Sequence, residues 1–289
     1  MFIIENDELR VSVALHGAEL QSIQDKATGQ EYMWNADSVW AKHSPILFPI
    51  VGVLKNNSYY YQGKQYHLSR HGFAREMDFT LKDQAADFLS LQLSCNETTL
   101  ANYPFPFELY IEYRLDGTSL KVTYTVINTG NDSMYFSIGG HPAFKVPLFA
   151  GDNYNDYQLE FNEKETTGRW LINEEGLQKG GSVPLLEDTK HLPLQKELFF
   201  ADAIVLKQLQ SNRVKLVSKQ SGNGFQFDFI GFPYLGIWAA KGADFVCIEP
   251  WCGVADSVDS DQQLTNKEGI NVLRPSGVFE RSWQFSLIK

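Results

Sequence analysis

The chain has 289 residues, 43% of them apolar and 13% aromatic, enough to bury a substantial core and far more than a disordered chain carries. A formal charge of -10, with 35 acidic against 25 basic side chains, argues against nucleic acid or an anionic membrane surface as a partner, because both recruit clustered Lys and Arg. Three cysteines without CxxC spacing, Cys95, Cys247 and Cys252, indicate neither a disulfide framework nor a zinc ribbon and place the protein by default in a reducing cytoplasm.

At the N-terminus, MFIIENDELRVSV sets acidic residues where a secretory signal needs a basic region, and no later apolar run reaches membrane-spanning length. A cytoplasmic protein with no membrane partner is expected. Strand character begins at ELRVSVAL and returns at SYYYQGKQYHL, each rich in β-branched or aromatic residues and bounded by turn chemistry. Between that second run and the next, LSRHGFAREMDF carries His71, followed by Gly72 and flanked by Arg70 and Arg75. Alone it reads as a turn. FLSLQLSC is a further strand, and FELYIEYRLDGTSLKVTYTVINTG predicts the clearest hairpin, Phe107 to Asn128, turning at Asp116-Gly117.

FSIGGHPAF, Phe136 to Phe144, ends a buried apolar strand in two glycines and a His-Pro step. The proline pushes His141 towards extended backbone, so its imidazole is aimed; alone, it could equally be a core histidine satisfied by a carbonyl. TGRWLINEEGL is ambiguous between helix and strand, and EDTKHLPLQKELF predicts one short helical turn. In LFFADAIVL, Asp202 is either a turn aspartate bonding its own backbone or a ligand-facing acid. RVKLVSK and FQFDFIGF are strands, and the KGG at Lys179 and SGNG at Ser221 read as hairpin loops. FVCIEPWCGVAD sets Glu249 at the edge of an apolar run, beside Trp251. A carboxylate next to an aromatic face suits a sugar, whose C–H face packs on the ring while hydroxyls find polar partners.

His16, His43, His67 and His191 show no i,i+4 pair and no ligand spacing with cysteine, so neither a metal nor a cofactor is expected. Cys247 and Cys252 read as buried thiols. No linker or repeat interrupts the β pattern. A single all-β domain over residues 1–289 is predicted, a sandwich of large antiparallel sheets whose concave face can gather ligand-binding side chains.

HGFAR, GGHPAF and IEPWCG in this order, with SPILFPIVGVLK, FFADA and LRPSGVFERSW, resemble the aldose 1-epimerase (galactose mutarotase) family, in its LacX-like bacterial branch. The resemblance covers essentially the whole chain. It implies a galactose-mutarotase-like β-supersandwich, a small-molecule sugar substrate, no cofactor, and interconversion of the α and β anomers of an aldohexose. By motif match it implies His141 as general acid, Glu249 as general base, His71 as the second histidine that positions the sugar, and Asp202 as a hydroxyl-binding acid. Arg75 and Trp251 follow by neighbourhood. Where relatives read FPIVGRLK this chain has Val53, so Lys55 or Arg70 is expected to supply the missing cation. The same scaffold also admits a hexose-6-phosphate 1-epimerase, with Arg70, Arg75 and Lys55 as a phosphate patch, or a non-catalytic carbohydrate-binding protein. A monomer, or a homodimer formed through a sheet edge, is expected.

The chemistry needs a proton taken from the anomeric hydroxyl and one given to the ring oxygen. That predicts a protonated His141 and an ionised Glu249.

Overall fold

The computed structural model describes residues 1–288. The alternating segments form antiparallel strands throughout: a 15-stranded sheet, a three-stranded N-terminal sheet from Phe2 to Asp25, and two small two-stranded ribbons. The large sheet runs from an edge at Ile46–Leu47, through Phe245–Cys252 and Tyr234–Trp238, past Val278–Leu287, to the opposite edge at Thr80–Gln84. In Phe107–Asp116 every second residue is buried, from Phe107 to Leu115, as the period-2 pattern requires. No helix of the described residues is long and apolar enough to cross a membrane.

The Phe107 to Asn128 hairpin forms as expected, but Asp116 is still paired, with Ser119, so the two-residue loop is Gly117-Thr118, one position further on. TGRWLINEEGL resolves as strand: it ends the long strand Tyr157–Ile172, whose Trp170 pairs with Ser182 on one side and Val205 on the other. The turn lies at Asn173, whose side-chain oxygen accepts from the backbone of Glu175 and Leu177. Lys179–Gly181 is therefore inside the returning strand Gln178–Pro193, a correction to the hairpin-loop reading of KGG. The predicted helical turn is the 3-10 segment Lys196–Phe199. One α-helix, Glu97–Asn102, was not expected; six residues are too few to show a helical period, and it is held by reciprocal capping between Asn96 and Thr99.

The feature that positions the site is the strand Phe245–Cys252, buried at all eight positions because both of its faces are covered. Gly139 pairs with Trp251, and Ala143 pairs with Cys247. Carrying that register across the His-Pro step sets His141 opposite Glu249. The two glycines before it clear opposite faces. A Cβ on Gly139 would meet Trp251 Cδ1 at 2.7 Å; one on Gly140 would meet the Tyr124 hydroxyl at 2.5 Å. That hydroxyl is fixed by the buried Trp283 indole, which donates to it over 2.6 Å. Tyr124→Phe leaves the Trp283 donor without a partner in the core, and should cost about 1–3 kcal/mol in urea unfolding while leaving the spectroscopic signature of the folded sheet intact.

Candidate functional site

Over this strand pair lies a cavity of about 460 Å³. Six of the sequence-predicted residues line it: His71, Arg75, His141, Asp202, Glu249 and Trp251. Lys55 does not. Its backbone N–H is bound to Asp256 and its ammonium donates to the Ser260 carbonyl at 3.2 Å, which turns it into a neighbouring loop. Arg70 does reach the cavity, beside Val53, so of the two expected substitute cations the structure brings Arg70 to the site.

His141 Nε2 lies 3.2 Å from Glu249 Oε2, with Glu249 only 1% exposed. The contact is too poorly aligned to be a hydrogen bond. His141 Nδ1, Glu249 Oε2 and Trp251 Nε1 are all buried without a hydrogen-bond partner in the protein. Buried polar atoms are rarely left so, and all three belong to residues that line the cavity, where a small side-chain rotation would offer them to a polar ligand. Rings enclose His141: Trp40 stacks on it at 5.1 Å, and Trp238 and His71 meet it edge-on at 5.6 and 5.7 Å.

Burial pushes the His141 imidazole down to about 3, with the Arg75 and Arg70 guanidiniums acting in the same direction. Burial also pushes the Glu249 carboxyl well above its ordinary value; Asp202 adds to the shift and the Trp251 indole partly opposes it. Both shifts run against the charged pair that the chemistry needs, because burial leaves neither charge solvated there.

His71 is placed by backbone. It adopts φ +69°, its N–H donates to Gly52, and the Gly52 N–H donates back to His71 Nδ1 at 3.1 Å. Nδ1 must then carry a lone pair, so the ring hydrogen sits on Nε2 as a donor. Crowding by the surrounding protein holds the imidazole well below its usual value and keeps it in this neutral form. Gly72 is required beside it: a Cβ there would stand 2.2 Å from the Phe48 carbonyl.

Asp202 also has φ > 0, at 71°; one carboxylate oxygen accepts from Ala203 N at 2.7 Å, the local bond of a turn aspartate, and the residue lies on the cavity lining. Its loop is clamped by Arg169, which donates to the carbonyls of Leu198, Ala201 and Asp202. The far wall, Val254 and Ala255, is fixed by a buried ion pair, Lys267 Nζ to Asp256 Oδ1 at 2.8 Å, and by Gln178, which donates to the Ala255 carbonyl. Trp40, Trp238, Lys241 and Gln178 line the cavity, and sequence reasoning missed them. None stands in a distinctive motif.

The chain matches the aldose 1-epimerase family over residues 1–267. It is 35% identical to a LacX protein of Lactococcus lactis subsp. lactis encoded on a plasmid, across 99% of this chain and 98% of that one. A chromosomal LacX protein of the same organism is 36% identical over the same shares. Among solved structures, a galactose mutarotase related enzyme from Lactobacillus acidophilus superposes with TM-score 0.95 at 34% identity, covering 100% of this chain and 97% of that chain. A galactose mutarotase-like protein from Lactobacillus casei gives 0.93 at 32% identity, with both chains fully covered. The predicted β-supersandwich is therefore the fold.

Burial raises the Glu249 carboxyl above its unfolded value, so between the ordinary carboxylate range and that raised value the folded state binds more protons and stability falls as pH rises. Glu249→Gln removes this slope. The variant should melt at a higher temperature than the wild type at neutral pH, with the gap shrinking towards about pH 4; an equal gap at every pH sinks the assignment.

Proposed function

The chain belongs to the aldose 1-epimerase family, and on that premise we propose that it interconverts the α and β anomers of an unphosphorylated aldohexose without a cofactor. The observation that carries the reading is the His141–Glu249 contact, 3.2 Å apart with unpartnered buried polar atoms on both residues. A sugar seated there presents its anomeric hydroxyl and ring oxygen to an acid and a base at once.

Glu249 takes the proton of the anomeric hydroxyl as His141 gives one to the ring oxygen. The C1–O5 bond breaks, C1 turns about the C1–C2 bond as a free aldehyde, and closure on the other face returns both protons. Burial favours the neutral form of each group, so a proton must pass from Glu249 to His141 as the sugar seats, which requires the 3.2 Å Nε2 to Oε2 contact to align into a hydrogen bond. The pair holds the same number of protons before and after. The His71 Nε2–H and Arg75 donate to sugar oxygens, Asp202 accepts from a hydroxyl, and the Trp251 ring packs on the apolar sugar face.

Polarimetry of freshly dissolved α-D-glucose and α-D-galactose tests the reading. The wild type should accelerate the approach to an unchanged equilibrium. His141→Asn and Glu249→Gln should each lower the rate ~10²–10⁴-fold, with sugar binding retained. No acceleration of any aldose would leave a sugar-binding protein on this fold. Faster turnover of glucose 6-phosphate than glucose would assign the Arg70 and Lys241 side of the cavity to a phosphate.

The pH profile supplies a second test. The pair gains an extra proton only when His141 charges, near pH 3, and loses its last one only above the ordinary carboxylate range. The rate at low sugar concentration should therefore show no acid-side break at about 6.5, the ordinary histidine value. A break there that vanishes in His141→Asn overturns the neutral pair.

A further inference from the structure

We propose that His141, Cys247 and Glu249 form a site for a borderline-soft divalent cation of the zinc class, and that the cation excludes the sugar. The three residues come together although their sequence spacing shows no ligand motif. Cys247 and Glu249 are alternate residues of the strand Phe245–Cys252 and share a face, and the register sets His141 opposite Glu249. One ligand atom from each lies within 4.8 Å of the other two. Cys252, at odd spacing from Cys247, faces away.

Zinc bonds of about 2.0–2.3 Å need their ligand atoms roughly 3.3–3.8 Å apart, so about an ångström of side-chain rotation closes the set. The donor types are the ones such a cation selects: thiolate, imidazole and carboxylate. Their charges suit a buried position, because one thiolate and one carboxylate cancel a dication and leave a neutral complex. Glu249 Oε2 is buried with no hydrogen-bond partner, and His141 Nε2 lies 3.2 Å from it. Three protein ligands leave a fourth position, which water or a hydroxyl can reach from the cavity past His141 and Glu249, the two ligands that line it. A cation held there occupies the lone pairs that the proton exchange requires.

Coordination does not depend on the protein being a mutarotase; only the inhibition rests on that reading, so the test separates them. Cobalt(II) titrated into the purified protein should bind one to one, with a thiolate-to-metal charge-transfer band that zinc abolishes by displacement. Cys247→Ser should remove the band and weaken binding by ~10- to 100-fold or more, the range that loss of even an outer-shell partner produces. Cys95→Ser and Cys252→Ser should keep both. Should Cys247→Ser not fold, Glu249→Gln and His141→Asn serve instead, each expected to weaken cobalt binding while the thiolate band persists. Saturating zinc should suppress wild-type mutarotation, a chelator should restore it, and Cys247→Ser should turn over sugar with zinc present. Absence of the band, or a band unchanged by Cys247→Ser, overturns the site. A band with mutarotation unaffected by zinc overturns the exclusion of sugar. A band in a protein that accelerates no aldose upholds the site and sinks the mutarotase reading.

Discussion

The site depends on one register. Gly139 opposite Trp251 and Ala143 opposite Cys247 fix which residue of the neighbouring segment faces Glu249, and a slip by one residue would turn His141 to the other face of the sheet. The proline after His141 brings no backbone donor, yet the pairing survives it, because Ile248 N–H still donates to the Pro142 carbonyl at 3.2 Å. Trp251 depends on the same arrangement. Its indole lies between two strands that carry glycine at the contact positions, Gly139 on one side and Gly236 on the other, where a Cβ would come within 2.4 Å of the ring. Gly139 and Gly236 thus provide the space in which Trp251 fits.

Two acid–base pairs are buried near the cavity, and their surroundings differ. Asp256 accepts from the Lys267 ammonium and the Lys55 backbone, while Lys267 also donates to the Val254 carbonyl. Every charge there has its partners, so the pair serves as a brace for the cavity wall. Glu249 and His141 lie equally deep but share only a misaligned contact, and burial shifts each towards its neutral form. Bonding opportunity has been left unused in residues that line the cavity. The same contrast separates Arg169, fully engaged with loop carbonyls, from Arg75, whose Nε has no hydrogen bond and lies 3.3 Å from Glu76.

The parts of this design that were legible in the sequence are those in which local chemistry decides: alternation for the strands, Asp-Gly for the hairpin, and three short motifs for His71, His141 and Glu249. The hairpin still slipped by one position, since Asp116 could pair as well as turn. Trp40, Trp238 and Lys241 could not be found, because loops and strand ends bring them in from segments without a marker. Lys55 was misplaced for the complementary reason; a lysine near a motif says nothing about where its flexible stem leads, and here a carbonyl at Ser260 captures it. Burial also explains why both members of the pair shift towards their neutral forms. Glu249 reads in the sequence as a strand edge, but the strand continues through Pro250, Trp251 and Cys252, and both faces are covered.

Val53 shows how a cation can be supplied from elsewhere. Its side chain packs with Leu177 and Ala255 into a small apolar cluster on the cavity wall, which leaves that position without charge. Arg70 approaches the same wall from the neighbouring loop, its Nη2 donating to the Glu175 carbonyl. It can do so because the next residue is glycine: a Cβ on Gly176 would stand 2.4 Å from Arg70 Nη2 and 3.4 Å from the Val53 methyl. The guanidinium therefore lies within a side chain's width of Val53, in a cavity where the planar fork of an arginine can meet vicinal hydroxyls. The apolar residue at 53 and the glycine at 176 belong to one arrangement, in which the charge reaches the cavity from a different strand connection and the wall behind it remains hydrophobic.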